Sequence, residues 1–98
     1  MSAPGNPTAE PREIRLKRLY MRASHRGTKE MDLICTAWCD ARLKQADGAT
    51  LDLFEAFLEE NDNDLYRWVS GQIAPPQRYA ALVSDMEKVM TGRRRATT

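Results

Sequence analysis

Arg26, Lys29, Glu30 and Asp32 place two cations and two carboxylates around one glycine, in the run His25-Arg26-Gly27-Thr28-Lys29-Glu30-Met31-Asp32. These residue types at this spacing suit ion pairing and hydrogen bonding more than bond making. Arg26 carries a planar fork of N–H donors that matches a carboxylate or a carbonyl, and Glu30 can answer a basic group. A turn between two helices needs a glycine and a cap, not this many charges. Gly27 can take a positive φ at little cost, which suits a sharp break in the chain and lets another backbone approach closely. Glu30 then falls in the first turn of the next helix, where the positive end of the helix dipole favours a carboxylate. One reading pairs Arg26 with Glu30 across the turn. The other turns both toward a partner, where a patch of mixed sign gives orientation and specificity.

Other chemistries fit less well. His25 is the one histidine in the chain, and no Ser–His–Asp or Cys–His arrangement follows from the spacing. No catalytic residue is assigned. Cys35 and Cys39 share a helix face, but a structural zinc site normally needs four ligands, and His25 lies ten residues from Cys35. They are read as free core thiols, consistent with a reducing, cytoplasmic setting. Gly27 stands outside any glycine-rich phosphate pattern. No metal or cofactor ligand is assigned.

The elements that must position this run are helices. Residues 1–10 are small, polar and rich in proline, which predicts a disordered tail, and Pro11 suits a helix start. Leu16, Leu19, Tyr20 and Ala23 recur at helical spacing, with Arg15, Arg18 and Arg22 as a cationic stripe beside them. A second helix over residues 28–45 is apolar around most of its circumference, which places it at the centre of a bundle; Asp47-Gly48 closes it. Thr50 is read as the N-cap of a third helix carrying Leu51, Phe54, Phe57 and Leu58. Asn61-Asp62-Asn63-Asp64 breaks the chain and caps a short fourth helix with Leu65, Trp68 and Val69, ended by Gly71. Ala74-Pro75-Pro76 is a rigid connector. A fifth helix with Tyr79, Leu82, Val83, Met86, Val89 and Met90 on one face ends before Gly92, and residues 93–98 follow as a loose basic tail. Trp38, Trp68, Phe54 and Phe57 are read as core. The fold class is all-α, one compact five-helix domain over residues 11–92.

Composition agrees with one globular domain: 98 residues, 42% hydrophobic and 30% charged. No apolar run is long enough to span a membrane, and the stretch through Pro11 holds no basic, apolar leader. The net charge of +1 conceals an asymmetry. Residues 12–29 are strongly basic, and residues 51–64 carry Asp52, Glu55, Glu59, Glu60, Asp62 and Asp64 without a base. This predicts one basic and one acidic side. Arg15, Arg18, Arg22, Arg26 and Lys29 could line a phosphate-binding face, so a small basic helical nucleic-acid-binding domain is the competing reading. Against it, the second helix is too apolar for a groove, and Glu30 and Asp32 would face phosphates.

Arg18-Leu19-Tyr20, Arg26-Gly27-x-x-Glu30 and Met31-Asp32-Leu33, followed by Asp62-Asn63-Asp64-Leu65 with Trp68 and Gly71, resemble the SdhE-type FAD assembly factors. The resemblance covers residues 12–92, and its strength lies in the order and spacing of motifs that are each weak alone. It implies a five-helix bundle that binds the flavoprotein subunit of succinate dehydrogenase. The factor would promote covalent FAD attachment without being the catalyst and without holding FAD stably itself, and fumarate reductase is open as a second client. Arg26, Gly27 and Glu30 are implied as the centre of the partner-binding site, joined by Asp32, Arg18 and Tyr20. A monomer acting away from membranes and nucleic acid is expected. The Arg93-Arg94-Arg95 run matches no motif and receives no function.

Overall fold

The computed structural model of the chain describes residues 10–96, and side chains as far as Gly92. Five helices follow one another: α1 (Arg12–Ala23), α2 (Lys29–Arg42), α3 (Gly48–Leu58), α4 (Asp62–Val69) and α5 (Ala80–Ala96), with 3-10 turns at Leu43–Gln45 and Gln77–Tyr79. No strand occurs among the described residues, and none of their helices is long and apolar enough to cross a membrane. The all-α, five-helix expectation holds.

α2 packs against α1, α4 and α5, as its nearly all-round apolar character requires. Met31, Cys35, Ala37, Trp38 and Cys39 are all buried along it. Trp38 stacks on Phe54 with ring centroids 4.4 Å apart, while Phe57 meets Tyr79 edge-on at 5.4 Å. Trp68 stacks on Tyr79 at 5.7 Å and is only partly buried. The Trp38 indole needs a partner inside the core, and its N–H donates to Asp85 at 2.8 Å.

Several local expectations change. The N-cap of α3 is Asp47, which accepts from the Thr50 N–H at 2.8 Å. Asp47 therefore opens the third helix rather than closing the second. Thr28 caps α2 by accepting from the Met31 N–H, and Asn61 caps α4. Gly71 ends α4 with φ of +83°, as predicted. Gly27 does not take a positive φ; its place in the turn has another cause, given below. Gly92 does not stop α5, which runs on to Ala96. An isolated helical glycine costs only about 1 kcal/mol, so residues 93–96 are helical rather than a loose tail. Glu10, assigned to the disordered tail, is held by Arg18 at 2.9 Å. The rest of that predicted tail, residues 1–9, and Thr97–Thr98 lie outside the described residues.

Candidate functional site: a clamped corner beside an acidic-rimmed groove

The cationic stripe of α1 faces the acidic stripe of α3. Arg15 pairs with Asp52 at 2.6 Å and with Glu55 at 3.1 Å. Arg18 joins Glu55 at 2.8 Å, Arg22 joins Glu59, and Arg26 closes the series on Asp62 at 2.6 Å. The two charge blocks thus neutralise each other between adjacent elements instead of forming opposite sides of the molecule. Arg12, next in the basic block, donates to the carbonyls of Lys44 and Ala46 at 2.9 and 2.7 Å. A phosphate-binding face would need these guanidinium groups free, and most are engaged within the chain. Nothing in this arrangement favours nucleic acid.

Arg26 is the least exposed member of the series, at 11% for its side chain against 15% for Asp62. Its Nε donates to Asp62 Oδ1 at 2.8 Å, Nη1 to the Leu58 carbonyl at 2.7 Å and Nη2 to the Glu60 carbonyl at 3.2 Å. These carbonyls lie at the end of α3, where helices leave acceptors unsatisfied. The Arg26 backbone N–H donates to Asp32 Oδ1 at 2.6 Å, and the Gly27 N–H donates to Asp62 Oδ2 at 2.5 Å. A Cβ at Gly27 would stand 2.9 Å from that same oxygen. The preference for glycine here comes from the closeness of Asp62, whose carboxylate would have to shift for a Cβ, not from backbone handedness. The turn before α2 is clamped onto the turn before α4.

Glu30 emerges one residue into α2 and is exposed. It does not pair with Arg26, and among the described residues it has no hydrogen-bond or ion-pair partner. It lines a groove between α2, α4 and α5 together with Leu33, Tyr66, Val69, Met90 and a second carboxylate, Glu87. Leu33 is 59% exposed and Tyr66 38% exposed. An apolar lining that also carries two carboxylates suits an apolar side chain flanked by a cation.

Arg18 and Tyr20 lie elsewhere. Arg18 faces α3, where its guanidinium keeps the Glu55 carboxyl below its usual pKa. Tyr20 is on the α2 side of α1, and the negative charge of Asp40 raises its phenol pKa above the ordinary 10.0. Together with Cys39 and Leu43 it borders a separate shallow groove. Arg26, Gly27 and Asp32 meet at one corner, Glu30 adjoins it, and Arg18 and Tyr20 do not join them. Asp62, central to the corner, reads in the sequence as part of a helix cap and of the Asp62-Asn63-Asp64-Leu65 motif, not as a partner of Arg26. Its signal was the matching of basic and acidic blocks at the same helical spacing, which marks a contact between them. His25 caps the end of α1, with Nδ1 against the Met21 carbonyl at 2.7 Å. Cys35 and Cys39 are buried and unlinked.

Comparison with known proteins bears on this geometry. The profile of the family described as "Flavinator of succinate dehydrogenase" matches residues 17–90, from the middle of α1 into α5. Mitochondrial succinate dehydrogenase assembly factor 2 of Mycosarcoma maydis is 35% identical over 80 residues, 82% of this chain and 33% of that protein. The FAD assembly factor SdhE of Francisella tularensis is 32% identical over 67% of this chain and 70% of its own length. The SdhE of Acetobacter pasteurianus is 33% identical over 67% of this chain and 61% of its own. The chain thus spans a third of the fungal relative's length.

Proposed function

This chain belongs to the flavinator of succinate dehydrogenase family, and we propose that it is an assembly factor that binds the succinate dehydrogenase flavoprotein subunit and promotes its covalent FAD attachment. The observation that carries the reading is the family match across nearly the whole helical domain, including the clamped corner and the exposed Glu30. The factor supplies a surface, not a reacting group: its thiols are buried and its one histidine is committed to the end of α1. The bond to flavin is then made by the flavoprotein's own residues, and FAD is not stably held by the factor. It acts as a cytoplasmic monomer.

Glu30 is the direct contact in this scheme. Its carboxylate lies in the first turn of α2, exposed and able to meet a cation, with Leu33 and Tyr66 available for an apolar neighbour. Gly27, Arg26 and Asp32 set the direction of that helix start. Arg18 and Tyr20, on other faces of α1, are secondary contacts in this scheme. The competing nucleic-acid reading has no observation in its favour.

The test is co-expression of the chain with its host's succinate dehydrogenase flavoprotein subunit, reading protein-bound flavin fluorescence in a denaturing gel. A strong band with wild type that weakens with Glu30→Ala supports the reading. Equal bands with and without the chain overturn it.

A further inference from the structure

We propose that Asp62 is a positioning residue for flavin attachment, and that Arg26 acts through it rather than by touching the flavoprotein. The inference rests on the assembly-factor reading and adds how its surface is set. All three guanidinium nitrogens of Arg26 already have acceptors within the chain: Asp62, the Leu58 carbonyl and the Glu60 carbonyl. A planar fork filled in this way has no second edge for a bidentate carboxylate. Asp62 also receives the Gly27 N–H through its other oxygen. One carboxylate therefore holds both Arg26 and Gly27 in the turn that leads into α2.

The consequence reaches the groove. Glu30 and Leu33 form its α2 wall, and Tyr66 and Val69 its α4 wall. Asp62 is the first residue of α4, so its bonds to Arg26 and Gly27 join the N-terminal ends of the two walls. Without them, the separation between the Glu30 carboxylate and the Tyr66 ring is left to the apolar contacts deeper along the helices. A side chain that never meets the partner thus governs how well the partner is met.

Purified flavoprotein subunit with FAD would be titrated with wild type, Asp62→Asn, Arg26→Lys and the double variant, each confirmed folded by circular dichroism and corrected for its folded fraction. Asparagine keeps the volume of Asp62 but presents one acceptor where two are used; lysine keeps the charge of Arg26 but not its fork. Each single variant should raise the half-maximal concentration about tenfold, the double no further, as for contacting residues in one network. The flavinylation plateau should remain. A loss with Arg26→Lys alone, or losses that multiply in the double variant, make Arg26 a separate contact and overturn the inference. Unchanged half-maximal concentrations reduce the corner to fold stability and overturn it too. If wild type itself has no effect at any concentration, the assembly-factor reading fails and the inference falls with it; a normal wild-type titration keeps the two failures distinct.

Discussion

Asp62 accepts from Arg26 Nε at 2.8 Å through one oxygen and from the Gly27 backbone at 2.5 Å through the other, with both ion-pair side chains mostly out of water. Removing one partner of such a pair leaves the other buried with incomplete compensation. Asp62→Ala should therefore lower unfolding stability by about 3 kcal/mol. The apolar double replacement Arg26→Met/Asp62→Leu should cost less than either single truncation, because no charge is stranded. Urea unfolding followed by circular dichroism measures both. A strictly additive pair would mean that the two side chains are not coupled.

Gly27→Ala is expected to destabilise through contact rather than through backbone strain. The new methyl would sit 2.9 Å from Asp62 Oδ2, and the carboxylate must move and weaken its bonds, a cost of about 1–3 kcal/mol. Gly48→Ala supplies the contrast, since nothing lies within 4 Å of its added carbon and it begins α3. There the reduced freedom of the unfolded chain should add about 0.5 kcal/mol of stability. Thermal melts of the two variants should shift in opposite directions.

The different fates of these glycines mark what the sequence could convey. Gly71 is legible because its requirement is local: α4 ends there in a left-handed residue. The helices were legible for the same reason, since apolar spacing is a property of a few turns. Gly27 stands out in the sequence, but its cause is an oxygen 35 positions away in the chain, and no local pattern contains that distance. Thr50 and Asp47 are both competent caps, and the choice between them depends on where α2 stops. The basic and acidic blocks were visible as charge; that they face each other across α1 and α3 follows only from packing. Glu30 stands out in the sequence because its charge exceeds what a turn needs. Its lack of an intramolecular partner is a tertiary fact.

The ion-pair series predicts a definite acid response. Hydrogen bonds from Arg18, then Arg15, outweigh burial and lower the Glu55 carboxyl from its ordinary 4.5, and Arg18 does the same for Glu10. Burial would raise Asp85, but bonds from Arg42 and Trp38 leave it net lowered from 3.8. A carboxyl with a depressed folded-state pKa contributes fully above its unfolded value and loses that contribution as pH falls through the folded one. Stability should thus be flat at neutral pH and decline below pH 4.5, continuing as the lowered groups protonate. Melts of wild type and Glu55→Gln between about pH 3 and pH 7 should converge in acid. A parallel offset across the range would exclude Glu55 as a source of the decline.

The thiols should be inert in the folded chain. Burial pushes Cys35 up to about 12, with the Arg26 charge only partly opposing it, and pushes Cys39 up to about 12 as well. Thiolate is the reactive form, so at neutral pH a disulfide reagent should label neither residue until denaturant is added. Stoichiometric labelling of the native protein within minutes would show that α2 opens far more readily than its packing implies.

Leu33 and Ile14 separate a binding face from ordinary exposed surface. They are 59% and 54% exposed, so neither truncation to alanine should alter stability by more than about 0.5 kcal/mol. Leu33 lines the groove beside Glu30, whereas Ile14 lies on α1 away from it. If the groove receives an apolar side chain of the flavoprotein, Leu33→Ala removes a contact that becomes buried only in the complex. Its cost should exceed about 1 kcal/mol, the level that marks an energetically important interface residue. Ile14→Ala should leave binding unchanged. Calorimetric titration against the purified flavoprotein subunit gives both values, and a Leu33→Ala variant that binds as well as Ile14→Ala would move the interface off this groove.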